Sequence, residues 1–205
     1  MIYLDKNGIT IKASKEAVVR KEYELNGENY KVVDEEMLRE MVMNGEDVTK
    51  VVTSRVTNME DMFEETLFFN QDIGSWDMSK VSDMTGMFFE AKSFNQDIGN
   101  WDVRNVINMG SMFSGASSFN QNIGSWDVSM VRNMGRMFFE ASEFNQDIEN
   151  WDVGNVINMG KMFQKATVFN QKVNNWNLKN VTNMSEIFSD ASSFNQNIGS
   201  WNVSN

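Results

Sequence analysis

The chain has 205 residues, of which 41% are hydrophobic, enough to bury a core and to exclude a disordered polymer. Its 29 acidic against 18 basic side chains leave a formal net charge of −11, which repels phosphate backbones and anionic membranes and makes nucleic acid a poor partner. Cysteine and histidine are both absent, which removes disulfides, thiolate nucleophiles, the commonest zinc ligand and every Ser-His or Cys-His catalytic pair.

In chain order, Ile2-Tyr3-Leu4 opens the sequence without the apolar core of a signal peptide, and no stretch reaches the roughly 18 apolar residues of a membrane span. No C-terminal sorting tail is present, so the expectation is a soluble chain without an export address. Ile2–Leu4, Ile9–Lys12 and Tyr30–Val33 read as short strands, and Asn26-Gly27 as a hairpin turn between Tyr23-Glu24-Leu25 and Tyr30. Asp34 is an N-cap for a helix through Met37, Leu38, Met41 and Val42, ended by Asn44-Gly45. Val48, Val51 and Val52 then lead onward. Residues 1–55 are expected to form a small α+β cap that seals the open edge of the rest of the chain, with a separate docking module as the alternative.

From Val56 the sequence is periodic. Tryptophan stands at Trp76, Trp101, Trp126, Trp151, Trp176 and Trp201, every interval being 25 residues. Phe69, Phe94, Phe119, Phe144, Phe169 and Phe194 keep the same interval, each followed by Asn-Gln, and so do Phe63, Phe88, Phe113, Phe138, Phe163 and Phe188. The units are 56–80, 81–105, 106–130, 131–155, 156–180 and 181–205. Within a unit, Val81 and Met84 fit a short extended segment. Met84, Met87, Phe88 and Ala91 sit at helical spacing, and Phe94, Gln96 and Ile98 alternate as in a half-buried strand. One unit cannot bury its apolar face alone, whereas stacked units give a continuous core of like on like. The expected architecture is an α/β repeat: a leucine-rich-repeat-like solenoid of six 25-residue coils behind the N-terminal cap.

Several rows of the stack carry further expectations. Asn70, Asn95, Asn120, Asn145, Asn170 and Asn195 are read as a ladder of side-chain amides bonding the backbone of their own or an adjacent bend. Asp77, Asp102, Asp127 and Asp152 form one acidic row, and Asp72, Asp97 and Asp147 another. Calcium between the rows and a structural role for the carboxylates both stay open, although Asn and Lys172 interrupt them. Gly74, Gly99, Gly124 and Gly199 share a position with Glu149 and Asn174, which calls for an ordinary backbone angle there and glycine for close approach.

The motif V-x-N-M-x-x-M-F-x-x-A-x-x-F-N-Q-D-I-G-x-W-D-V resembles the bacterial surface-protein repeat of 25 or 26 residues, of the mycoplasma-lipoprotein type. That repeat is in turn similar to BspA-like leucine-rich repeats. The resemblance covers all six units. It implies an open solenoid with a sheet on one side and a surface-exposed or virion-associated protein thought to act in adhesion. It brings no catalytic residue to carry over, and no cofactor or metal ligand is expected from the sequence.

Two functions are expected from different classes. One is a non-enzymatic binding or adhesion module presenting a repetitive face to a protein or glycan, with Phe89, Glu90, Arg104, Arg132, Arg136, Phe139 and Glu140 as its candidate residues, because they vary where packing does not dictate them. The other is an assembly component docking through its last coil. Phe188, Phe194, Ile198, Trp201 and Val203 would form that association edge, the expected closed product being a tail-to-tail homodimer.

Overall fold

The structure, a computed structural model, describes residues 1–202; Val203 of the expected association edge lies outside them. Strand β1 (Ile2–Leu4) pairs antiparallel with β2 (Ile11–Ala13), and β3 (Glu22–Leu25) forms a hairpin with β4 (Glu28–Val32). The hairpin turn places Asn26 at φ 55° and Gly27 at φ 84°, two successive left-handed residues of the kind that Asn-Gly tolerates. Helix α1 (Glu35–Met43) starts where the Asp34 side chain accepts the Met37 N–H at 3.0 Å. It stops at Gly45, φ 67°, whose N–H donates to the Val42 carbonyl. Strand β5 (Val51–Val52) then lies parallel to β4.

The repeat register begins upstream of Val56. The Trp76 indole N–H donates to the Val48 carbonyl at 3.1 Å, just as Trp101 donates to Ile73 at 3.1 Å and Trp126 to Ile98 at 3.1 Å. Residues 46–55 therefore act as the second half of a coil, with helix α1 standing where its first half would be. One hydrophobic core runs unbroken from Val33, Leu38 and Met41 through every unit to Val181. A smaller one under the cap joins Ile2, Ile11, Ala13, Ala17, Val32 and Val52.

The units stack in parallel, with backbone bridges joining Asn58, Asp83, Asn108, Asn133, Asn158 and Asn183 in series. At each junction alternate residues reach across. Met84, Gly86, Phe88 and Glu90 donate N–H groups to the carbonyls of Asn108, Gly110, Met112 and Ser114 at 2.8–2.9 Å. The residues that follow Gly86, Phe88 and Glu90, namely Met87, Phe89 and Ala91, donate back within their own unit to Met84, Gly86 and Phe88. With this alternation goes left-handed backbone at the sixth and tenth positions of every unit. The expected helix over Met84–Ala91 is accordingly a run of turns, because a helix needs successive right-handed residues. The expected strand over Phe94–Ile98 carries no backbone ladder, and among the described residues from 56 onward the only β pairing is the row of bridges.

Side chains hold that second stretch instead. The Asn95 N–H donates to Asn70 Oδ1 at 2.9 Å, and the same bond recurs from Asn120, Asn145, Asn170 and Asn195, each to the unit before. Gln96 Nε2 adds a bond to the Asn70 carbonyl at 2.9 Å, repeated at Gln121, Gln146, Gln171 and Gln196. Each such bond contributes on the order of 1 kcal/mol net. The phenylalanines form two stacked columns that touch one another: Phe113 lies 5.5 Å from Phe88, 5.7 Å from Phe138 and 3.9 Å from Phe119. Trp76 to Trp176 are buried in equivalent places, and Trp201 is half-buried with the same indole bond, to the Val173 carbonyl.

Gly74, Gly99 and Gly124 have ordinary φ, and a Cβ on them would come within 2.5–2.8 Å of the backbone carbonyl of Asp97, Asn122 or Asp147 in the next unit. Close approach is thus the reason for glycine at these three positions, as expected, whereas a Cβ on Gly199, also of ordinary φ, would meet only Asn197 Oδ1 at 3.2 Å.

Candidate functional site

The richest chemistry lies along the edge formed by the turns. The sixth positions are Asp61, Gly86, Ser111, Arg136, Lys161 and Glu186, and the tenth are Glu65, Glu90, Gly115, Glu140, Lys165 and Asp190. All twelve have φ between 53° and 73°. Arg136 lies over the Phe139 ring at 5.7 Å and Lys165 at 5.5 Å from the ring centre, while Lys165 also pairs with Glu140 at 2.6 Å. That carboxylate raises the Lys165 pKa above its ordinary value. Lys161 pairs with Glu186 at 3.3 Å, and Glu186 accepts from Gln164 Nε2 at 2.9 Å. Gln164 Oε1 beside them is buried and has no hydrogen-bond partner among the described residues.

Of the seven candidate binding residues, this edge brings together Arg136, Phe139 and Glu140 in one cluster and Phe89 and Glu90 nearer the cap. The other two stand apart. Arg104 pairs with Asp102 at 2.7 Å in a cleft formed with Asp5, Lys6 and Asn7 of the cap. Arg132 lines a different groove with Ile157 and Thr182.

Next to the cationic cluster a polar groove of about 350 Å³ runs across successive units, lined by Gly110, Gly135 and Gly160, by Asn133, Asn158 and Asn183, and by Ser111, Arg136 and Lys161. Its asparagines make a ladder missed in the sequence: Asn133, Asn158 and Asn183 donate through Nδ2 to Oδ1 of Asn108, Asn133 and Asn158, each at 2.9 Å. The links occur where the fifth position of the preceding unit is glycine. A Cβ on Gly135 would come within 2.5 Å of Asn158 Nδ2. In the second unit, Thr85 occupies that place and bonds Asp83 Oδ1 itself at 2.6 Å. The pairing of glycine at one position with asparagine in the next unit was the available signal. Gly135→Ala should cost about 1–3 kcal/mol by expelling the Asn158 amide from the ladder, read as a lowered midpoint in urea unfolding.

The acidic rows close tight turns. Asp72, Asp97 and Asp147 accept the backbone N–H two residues on, at 2.9–3.0 Å, as do Asp127 and Asp152 at 3.0–3.1 Å. Asn122, Asn177 and Asn197 make the same bond, which explains why Asp and Asn interchange there. The Ser129 hydroxyl and amide hold the Asp127 carboxyl below its ordinary pKa. Among the described residues no group of three or more carboxylates is gathered that could hold a metal ion, and no helix is long and apolar enough to cross a membrane.

Fold and site together define a protein of stacked repeats whose turn edge carries rows of charged side chains on left-handed backbone. The chain belongs to the family described as Mycoplasma protein of unknown function, DUF285, whose model matches residues 34–146 and again 121–205. The first match starts at the N-cap of α1, inside the segment set apart as a cap. No curated protein and no solved structure matches the chain.

Proposed function

We propose that this chain is a non-enzymatic binding or adhesion module, an open solenoid of the leucine-rich-repeat-like kind, that recognises a protein or glycan through its turn edge. The observation that supports this reading is the composition of the left-handed rows. An L side chain in that conformation costs about 1 kcal/mol or more relative to glycine. Yet ten of the twelve positions carry a side chain, and nine of the ten are Asp, Glu, Arg or Lys. Asparagine, which tolerates this conformation and is abundant elsewhere in the chain, occurs at none of them. Backbone ease has been given up for outward chemistry, the pattern of strain at a recognition surface. The absence of histidine and cysteine agrees with a function without catalysis.

The test uses arrays of glycans and matrix proteins probed with labelled protein. Substituting Arg136→Glu, Lys161→Glu and Lys165→Glu together should weaken the recognised spots about tenfold or more. The pair Arg104→Glu and Lys172→Glu, away from this edge, should leave them unchanged. Equal loss in both variants would sink the assignment of the face.

A second reading, an assembly component, draws on the last unit. Phe188, Phe194, Ile198 and Trp201 are half-exposed, whereas Phe163, Phe169, Val173 and Trp176, one unit earlier, are buried. Backbone polarity constrains any partner there. The N–H groups of Met184, Glu186, Phe188 and Asp190 find no backbone carbonyl among the described residues, so a docking element has to bring acceptors. A tail-to-tail pair would set donors against donors along this segment. Head-to-tail stacking, by a following repeat or by another chain, satisfies them. Sedimentation of Ile198→Asp against the parent chain separates the two readings.

A further inference from the structure

We propose that the groove where the cap helix meets the first two units docks a partner peptide that brings apolar side chains flanked by lysine or arginine. The inference rests on the binding-module reading and places a second contact on it, about two units away from the cationic cluster.

Two adjoining cavities of about 370 and 390 Å³ share Leu67. The first is lined mainly by apolar groups from the end of α1 and from Leu67, Phe68 and Phe69, and the second by Leu67, Phe89, Glu65 and Glu90. Phe68 is 88% exposed and Leu67 42%. In the following units the Phe68 position holds Ser93, Ser118, Glu143, Val168 and Ser193, and the Leu67 position Lys92, Ser117, Ser142, Thr167 and Ser192, so the apolar pair belongs to the first unit. The chain on either side of Phe68 is tied to the stack. The Leu67 N–H donates to the Glu65 carbonyl at 2.8 Å, the Leu67 carbonyl accepts from Ser93 at 3.1 Å, and Phe69 stacks on Phe63 at 4.0 Å. An exposed phenylalanine and leucine beside an open apolar cavity make a contiguous apolar patch, the form of an anchor site.

The rim decides the partner's charge. Glu46, Glu65 and Glu90 line the two cavities and no lysine or arginine does. Lys92 offsets Glu90 at 3.4 Å, while Glu46 and Glu65 form no ion pair with the described residues. Nearby, burial and the neighbouring carboxylates of Asp61 and Glu65 push the Glu64 carboxyl above its ordinary pKa, as expected where like charges crowd without a counter-ion. Such a rim repels an anionic lipid surface or an acidic peptide and attracts basic side chains around an apolar one.

The experiment is fluorescence anisotropy on the full chain with three labelled peptides: one alternating leucine and lysine, one with every lysine replaced by glutamate, and one with every leucine replaced by serine. The leucine–lysine peptide should bind saturably and weaken with salt, and the other two should not bind. Phe68→Ser should weaken it about tenfold or more, from the loss of one buried aromatic, with an unchanged melting curve because the side chain is exposed. The pair Glu46→Lys and Glu65→Lys should do the same, while the triple variant of the cationic cluster should bind normally. Equal binding of the glutamate peptide, or parental affinity in both groove variants, would overturn the proposal. So would concentration-dependent self-association abolished by Phe68→Ser, which would give the groove to a second copy of the chain. Failure here with the array result intact leaves the turn-edge reading standing.

Discussion

Phe113→Ala is expected to lower the free energy of unfolding by about 3–5 kcal/mol, the range for deleting a fully buried aromatic ring. Phe113 sits in the middle of both columns, 5.5 Å from Phe88, 5.7 Å from Phe138, 3.9 Å from Phe119 and 6.4 Å from Trp126, and none of its surface reaches solvent. Its neighbours are held by the backbone ladder and cannot close over the cavity. Phe188→Ala should cost less than about half as much, because that ring is half-exposed and has stacked partners in its own unit and the preceding one alone. Since each unit touches only its neighbours, the interior deletion also uncouples the two halves of the stack. Urea unfolding followed by circular dichroism and tryptophan fluorescence should show the midpoint fall and the transition broaden for Phe113→Ala alone. Equal costs at the two sites would show that stacking is not cumulative.

Ser111→Pro should cost more than about 3 kcal/mol, whereas Ser111→Gly should be neutral or stabilise by up to about 1 kcal/mol. Ser111 stands at φ 56°, and proline fixes φ near −65°. Proline would also remove the N–H that donates to the Gly135 carbonyl at 2.9 Å, one of the four bonds of that turn segment to the next unit. Glycine keeps the bond and relieves the strain, offset in part by its greater freedom in the unfolded chain. The opposite signs can be read from thermal melts of the two variants. A stability loss for glycine comparable to that for proline would show that the left-handed backbone does not persist in solution.

The sequence by itself determined the 25-residue interval, the inward placing of the periodic tryptophans and phenylalanines, and the Asn70 to Asn195 ladder. It also determined the hairpin at Asn26-Gly27 and the start of α1 at Asp34. These come from local chemistry and from repetition: a residue that recurs at one interval in every unit has the same neighbours in every unit, so its environment can be read once and applied six times. The structure alone decided the path of the chain between Met84 and Ala91. Apolar spacing there is that of a helix, but the bonds that win run to the next unit, and only stacked neighbours supply their acceptors. With that path came the left-handed rows, whose Arg, Lys and Glu residues carry no sequence signal for positive φ. The candidate residues divided for the same reason. Arg136, Phe139 and Glu140 meet because the turn curls their positions onto one edge, while Arg104 and Arg132, no less variable in sequence, leave the coil at other points of its circuit. Variability marks a residue as free of the core, and the curvature of the coil decides which way it faces.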